Sequence, residues 1–266
     1  MPTLKLILEY DGTAYAGWQR QPGQATIQQS LETAFAKMTQ QTVSAVAAGR
    51  TDAGVHALGQ VVSVRIDRDL TPWEWTRGLN AHLPPDISVR AVELPAPDFH
   101  ARHKAFGKHY QYRIINRSER PALARLGAWH VYRPLRDEAM AAAARHLLGR
   151  HDFSAFETQP TDIVDPVCHL QHLTLTRNGD AVTIDVYADR FLKQMVRTIV
   201  GTLIEVGMGR RTPASLPEVL ASKDRSQAGR TAPPHGLYLM RVDYGPLVDA
   251  DTPEKGRTGE APEGLR

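Results

Sequence analysis

The sequence predicts an α+β protein made of two β-α-β-β-α-β units, with mainly antiparallel sheets flanking a central cleft. Three observations carry this. Apolar residues recur at period two and at helical spacing by turns. The same order of elements occurs in both halves without repetition of the sequence. A chain of 266 residues, 42% hydrophobic, is long and apolar enough to bury a core in one large or two modest domains.

In the first half, "LKLILEYDG" alternates apolar and polar residues and ends on Asp-Gly, which gives a strand closed by a turn. In "TIQQSLETAFAKM", Ile27, Leu31, Ala34, Phe35 and Met38 fall on one face of a helix. Strands are expected near 42–48 and 60–66, with the loop around "AGRTDAGVH" between them. Thr71 as cap, Pro72 in the first turn and Glu74 three residues past the cap start a helix that "LPP" stops. "ISVRAVEL" is the fourth strand.

The second half begins with a strand at "KHYQYRII" and the alanine-rich helix "RDEAMAAAARHLLG". Strands near 168–176 and 181–188 follow, then the helix "FLKQMVRTIVGTLIEVG", a short helix after Pro213 and the strand "GLYLMRVDY". The order in each half is the ferredoxin-like split unit, an RRM-like arrangement common among RNA-binding sheets. The expected division is 1–104 and 105–248, with 249–266, rich in Pro, Gly and charge, as a disordered tail.

No apolar run approaches the roughly 18 residues of a membrane span, and "MPTLKLILEY" has neither the basic start nor the apolar length of a signal peptide. A cytoplasmic location is expected. The single cysteine, Cys168, excludes an internal disulfide and a cysteine-rich zinc site. In "CHLQH", strand alternation sends His169 and His172 to opposite faces, which argues against a metal there. Neither G-x-G-x-x-G nor G-x-x-x-x-G-K-[ST] occurs, so no nucleotide cofactor is expected.

Net charge is only +3, but 25 of the 32 basic residues are Arg, whose planar fork suits phosphates and stacks on bases. "HARHKAFGKHYQYRIINR", 100–117, holds five Arg or Lys and three His with no acid, interleaved with Phe106, Tyr110 and Tyr112. That pattern fits an RNA-binding surface, and its alternative is a solvated strand face.

Asp52 stands in "AGRTDAGVHALGQVV", whose Thr-Asp-Ala-Gly is ordinary turn composition. Arg197 changes its meaning. The helix around it is apolar on nearly every side through Leu192, Met195, Val196, Ile199, Val200, Leu203 and Ile204, and an unpaired buried charge costs several kcal/mol. Asp189 and Glu205 lie about two turns away, so a carboxylate from elsewhere in the chain is expected, and Asp52 would serve.

The chain resembles the TruA family of tRNA pseudouridine synthases. The match runs through "EYDGTAYAGWQRQP", "GRTDAGVHALGQV", "LPPDISVRAV", "FHAR", "HYQYRI", "MVRTIVGTL" and "GLYL", nearly the whole chain to Tyr244. It implies a catalytic role for Asp52, Tyr110 and Arg197. Substrate contacts are expected from Arg50, Thr51, His56 and Tyr110, and from Lys104 and Lys108 of the basic segment, which would grip the backbone. Arg50 matches the position proposed to help displace the target base. The resemblance implies a tRNA substrate modified at uridines 38–40 of the anticodon stem-loop and a homodimer, with no cofactor, no metal, no DNA and no membrane. A glycosidase needs two carboxylates because one activates a water. Here uracil leaves C1′ through N1 and returns through C5, so one aspartate suffices. A silent RNA-binding protein and a carboxylate-dependent nucleoside hydrolase are the alternatives.

Overall fold

In the computed structural model, which describes residues 2–161 and 164–245, the alternating run Thr3–Tyr10 forms strand β1 with Leu4, Leu6 and Leu8 fully buried. Helix α1 (Ile27–Thr39) starts at Thr26, whose hydroxyl accepts the Gln29 N–H, and buries Ile27, Leu31, Ala34 and Phe35. Helix α2 (Pro72–Asn80) has the full capping box between Thr71 and Glu74. Its Trp75 packs on Phe35 with ring centroids 5.6 Å apart, which joins the two helices over one core. Strand β4 (Ile87–Glu93) pairs antiparallel with β1.

Between the helices the strands differ from the expected bounds. β2 is only Val46–Ala47, and β3 runs His56–Arg65, starting well before position 60. The sequence hides that early start because "HALGQ" lacks the β-branched and aromatic residues that mark strands. Gly59 lies where the β1–β3 register shifts, between Leu8–Gln60 and Tyr10–Ala57. A Cβ there would lie 2.4 Å from the Met240 carbonyl oxygen, so only glycine lets the two backbones approach.

In the second half, β5 (Gly107–Asn116) is followed by β6 (Trp129–Val131), α3 (Asp137–Arg145) and β7 (Gly149–Asp152). Then come β8 (Val167–Asn178), β9 (Ala181–Ala188), α4 (Met195–Gly207), α5 (Leu216–Ser222) and β10 (Leu237–Asp243). The short strands β6 and β7 have no alternating pattern to announce them; α3 ends at Arg145, short of the expected Gly149, and β7 begins at that glycine, which turns the chain at φ 101°. α4 starts at Met195 rather than Phe191. Gln194 takes a left-handed φ of 60°, and its side-chain oxygen accepts the Thr158 hydroxyl at 2.9 Å.

The strands of the described residues form one sheet in the order β4-β1-β3-β10-β5-β9-β8-β7, with β2 on β3 and β6 on β5. Only β3–β10 and β5–β6 are parallel. The two expected sheets are therefore continuous: β10, last in the chain, lies between β3 of one half and β5 of the other. Tyr238 and Leu239 pair with His56 and Ala57, while Leu237, Leu239 and Val242 face the core. The fold is mixed α+β with a large, mostly antiparallel sheet. The expected tail, 249–266, lies outside the described residues.

Candidate active site

The loop between β2 and β3 carries Asp52. Its ends are tied to the sheet: the Ala48 N–H donates to the Val61 carbonyl at 2.8 Å, and β3 begins at His56. The segment after β1 packs directly on the loop. Trp18 donates its N–H to the Thr51 carbonyl at 3.0 Å, and Gly54 donates to the Tyr15 carbonyl at 3.3 Å. Gly17, at φ 92°, has no room for a side chain, since a Cβ would sit 2.6 Å from the Thr51 oxygen and 2.9 Å from the Asp52 carbonyl carbon. The "EYDGTAYAGW" segment thus forms one wall of the loop, a task its composition does not announce.

Arg197 reaches Asp52 from α4. Its Nη1 donates to Asp52 Oδ2 at 2.9 Å, and its Nε donates to the Ala232 carbonyl at 2.8 Å. The guanidinium is thereby fixed at two points, one on backbone and one on the carboxylate, in the planar geometry that suits Arg. The sequence argument for a distant carboxylate holds in detail, because the nearer acids are engaged elsewhere. Glu205 pairs with Arg211 at 3.3 Å, and Asp189 accepts the N–H groups of His169 and Arg190. The Arg197 side chain is 11% exposed and that of Asp52 33%, so the pair is shielded on the arginine side and open on the acid side. Asp52 Oδ1 has no hydrogen-bond partner among the described residues.

Tyr110 is in the middle of β5, 7% exposed, with Phe191 edge-on at 5.1 Å and 87°. Phe191 escaped the sequence reading because it was counted into the following helix; the turn at Gln194 frees it to pack here. Burial pushes the Tyr110 hydroxyl well above the usual tyrosine range, and nearby Tyr10 and Asp52 push it the same way. The hydroxyl therefore stays protonated at neutral pH. Two residues on, Tyr112 donates to the Pro233 carbonyl at 2.7 Å, which steadies the segment that Arg197 grips.

The basic segment is divided by strand alternation. Lys108 is half-buried beside Gly49: a Cβ on Gly49 would lie 3.2 Å from Lys108 Cε and 3.9 Å from the Tyr110 hydroxyl. Burial lowers the pKa of its amine, as do Arg102 and Arg190, with Asp189 opposing. On the other parity of β5, His109 and Gln111 both bond Asp185, at 2.8 and 3.1 Å, and Arg113 lies over the Tyr238 ring at 3.8 Å. Lys104 is exposed and paired with Asp98 at 2.6 Å, and Arg117 pairs with Asp180 at 3.2 Å. Two of the run's five Arg or Lys are therefore paired with acids outside it, and His109 bonds a third acid. Arg50 is exposed and has no ion pair among the described residues.

Two expected substrate contacts serve the protein itself. Thr51 is 7% exposed, and its hydroxyl is spent on the Tyr10 hydroxyl at 2.8 Å. His56 is 4% exposed; its Nδ1 meets the Gly12 N–H at 3.1 Å and Asp11 Oδ1 at 3.0 Å, and its Nε2 meets the Leu126 and His235 carbonyls at 3.0 and 3.2 Å. It ties the end of the Asp52 loop to both halves of the chain. A further correction concerns "CHLQH". The register of β8 shifts between Leu170 and His172, so His169 and His172 are both exposed while Cys168 is buried, and simple alternation does not describe them. No helix of the described residues is long and apolar enough to cross a membrane.

A protein family described as tRNA pseudouridine synthase matches residues 6–104 and 143–245. The chain is 47% identical over 245 residues to the tRNA pseudouridine synthase A of Geotalea daltonii, covering 92% of this chain and all of the relative. It is 48% identical over 266 residues to that of Myxococcus xanthus, covering 99% of this chain and all of the relative. With that of Salmonella arizonae the identity is 42% over 257 residues, covering 96% and 95% of the two chains. These matches span the Asp52 loop, α4 and the wall that holds the loop, and the chain belongs to the tRNA pseudouridine synthase family, isomerases that act on tRNA.

Proposed function

We propose that this chain converts uridine to pseudouridine at positions 38–40 of the tRNA anticodon stem-loop, with Asp52 as the catalytic carboxylate, Tyr110 against the target base and Arg197 orienting Asp52. The observation that carries this reading is the Asp52–Arg197 pair, 145 residues apart in sequence and 2.9 Å apart in space. The reaction breaks the N1–C1′ bond, turns the uracil and joins C5 to C1′. C5 loses a proton and N1 gains one, so nothing is oxidised and no group is lost. Attack at C1′, attack at C6 and removal of a sugar proton all need one ionised carboxylate beside the nucleotide. The Asp52 oxygen that Arg197 leaves open suits each of them.

A base paired or stacked in a stem has to be extruded before it reaches such a site. Arg50, exposed one residue from Thr51, is placed to fill the vacated space, and Lys108 to meet a phosphate near the flipped nucleotide. Tyr110 offers a ring for the base and a protonated hydroxyl that can relay a proton, giving one and taking one in the same step so that it is never left ionised. The order β1-α1-β2-β3-α2-β4 also supports a ferredoxin-like unit at 1–104, and a second at 105–248 is proposed with β6, β7 and α5 as additions to the same order. A homodimer in the cytoplasm completes the reading.

Incubating the purified protein with an unmodified tRNA transcript and mapping pseudouridine by position tests it. Pseudouridine at 38–40 is expected. Release of free uracil would make the chain a nucleoside hydrolase, and tight binding with unchanged uridines a silent RNA-binding protein.

The two parts of Tyr110 separate by substitution. Tyr110→Phe keeps the ring and loses the hydroxyl, and proton transfer by a placed side chain is worth about 10²-fold or more. Tyr110→Phe should therefore turn over about a hundredfold more slowly in single-turnover assays, and Tyr110→Ala more slowly still. A Phe variant that keeps most activity would restrict Tyr110 to stacking.

A further inference from the structure

Beneath the Asp52 loop lies a buried polar cluster with no part in the chemistry described above. Tyr10, the last residue of β1, is 3% exposed, and Gln60 of β3 is fully buried. The Tyr10 hydroxyl meets the Thr51 hydroxyl at 2.8 Å and accepts the Gln60 side-chain N–H at 3.3 Å. The same Gln60 amide nitrogen donates to the Gly49 carbonyl at 2.7 Å. The loop is thus held at residues 49 and 51, on both sides of Arg50 and immediately before Asp52.

Stability does not require this cluster. Its neighbours in the core are apolar, and Gln60 Oε1 has no hydrogen-bond partner among the described residues, a cost that an apolar side chain of similar size would avoid. Replacing both partners of a buried hydrogen bond by apolar groups of the same shape is often close to neutral. What an apolar core would lose is direction. Hydrogen bonds fix an angle and a distance, whereas apolar packing lets a loop settle in several ways. The Asp52 carboxylate is held from α4 by Arg197, and the loop that carries it is held by Trp18 and Tyr15 and, through the Thr51 hydroxyl and the Gly49 carbonyl, from β1 and β3.

We propose that Tyr10 is a positioning residue for the reaction: its hydroxyl, with the Gln60 amide, clamps the loop at Gly49 and Thr51 so that Asp52 meets Arg197 and the target nucleotide in one geometry. This rests on the assignment of Asp52 as the catalytic carboxylate. Positioning at this level is worth a large factor, because a displacement of about 1 Å of a reacting group costs on the order of 10²-fold.

The test uses Tyr10→Phe and the double variant Tyr10→Phe with Thr51→Val, assayed on tRNA for kcat, KM and melting temperature. Tyr10→Phe removes the partner of the Thr51 hydroxyl and of one Gln60 amide N–H, while the bond from Gln60 to Gly49 remains, so it should lower the melting temperature and cut kcat at least about tenfold, with KM within about twofold. The double variant removes the stranded Thr51 hydroxyl and should regain most of the melting temperature while kcat stays low. A purely structural cluster predicts the reverse, with kcat of the folded protein unchanged in Tyr10→Phe or restored together with stability in the double variant, and either result overturns the proposal. Wild-type protein and Asp52→Asn run alongside separate the two readings. A converting wild type with an unimpaired Tyr10→Phe overturns the clamp alone, whereas a fully active Asp52→Asn overturns the assignment on which the clamp rests.

Discussion

Asp52→Asn should abolish conversion, with a loss of at least about a thousandfold, the scale seen when a central catalytic group is removed. Folding and tRNA affinity should hardly change. The substitution replaces one oxygen by an isosteric nitrogen, and the amide oxygen can still accept from Arg197 Nη1 in the place of Oδ2. The loop is anchored by contacts the substitution leaves alone, at Ala48, Thr51 and Gly54. Pseudouridine mapping, a melting curve and a tRNA binding curve on the same preparation check this. Turnover near the wild-type rate would remove Asp52 from the chemistry.

Arg197→Met should slow turnover by about ten- to a hundredfold, which corresponds to roughly 1.4 to 2.7 kcal/mol of transition-state stabilisation. The methionine fits the apolar surroundings of α4, where Met195, Val196, Ile199 and Val200 are buried, so the chain should still fold. It cannot hold the carboxylate, and it leaves the Ala232 carbonyl without its Nε partner. Arg197→Lys keeps the charge but cannot reach carboxylate and carbonyl with one planar group, so its loss should be smaller than that of Met. Single-turnover rates with saturating enzyme measure both without interference from tRNA affinity. Equal rates for Lys and Met would mean that the charge contributes nothing and that only the fork matters.

The pair was legible in the sequence for a physical reason: a helix apolar on nearly every side cannot leave an arginine unpaired, and its own acids sit at its ends. The helices α1 and α2 were legible through spacing and caps, and most long strands through alternation. What was hidden is what depends on close approach between distant segments. The parallel contact of β10 with β3 involves two residue pairs, Tyr238–His56 and Leu239–Ala57, and has no local signature, so the joining of two sheets into one could not be read. Gly17, whose side chain would strike the Thr51 carbonyl, looks like any turn glycine. Thr51 and His56 are expected among the substrate contacts, yet residues near Asp52 in sequence point different ways, and both are buried in the anchor. The basic run 100–117 suggests one surface, but alternation on β5 divides it, and acids outside it pair with Lys104 and Arg117 and bond His109.

The claim that Asp52 and Arg197 act as one unit is tested most directly by a double-substitution cycle in single-turnover rates of pseudouridine formation. Residues that act as a unit are non-additive. If Arg197 acts on the reaction only by orienting Asp52, Asp52→Asn combined with Arg197→Met should be hardly slower than Asp52→Asn alone. Losses that multiply in full, each substitution lowering the residual rate by its own factor, would contradict the account, because Arg197 would then act on the reaction without passing through Asp52.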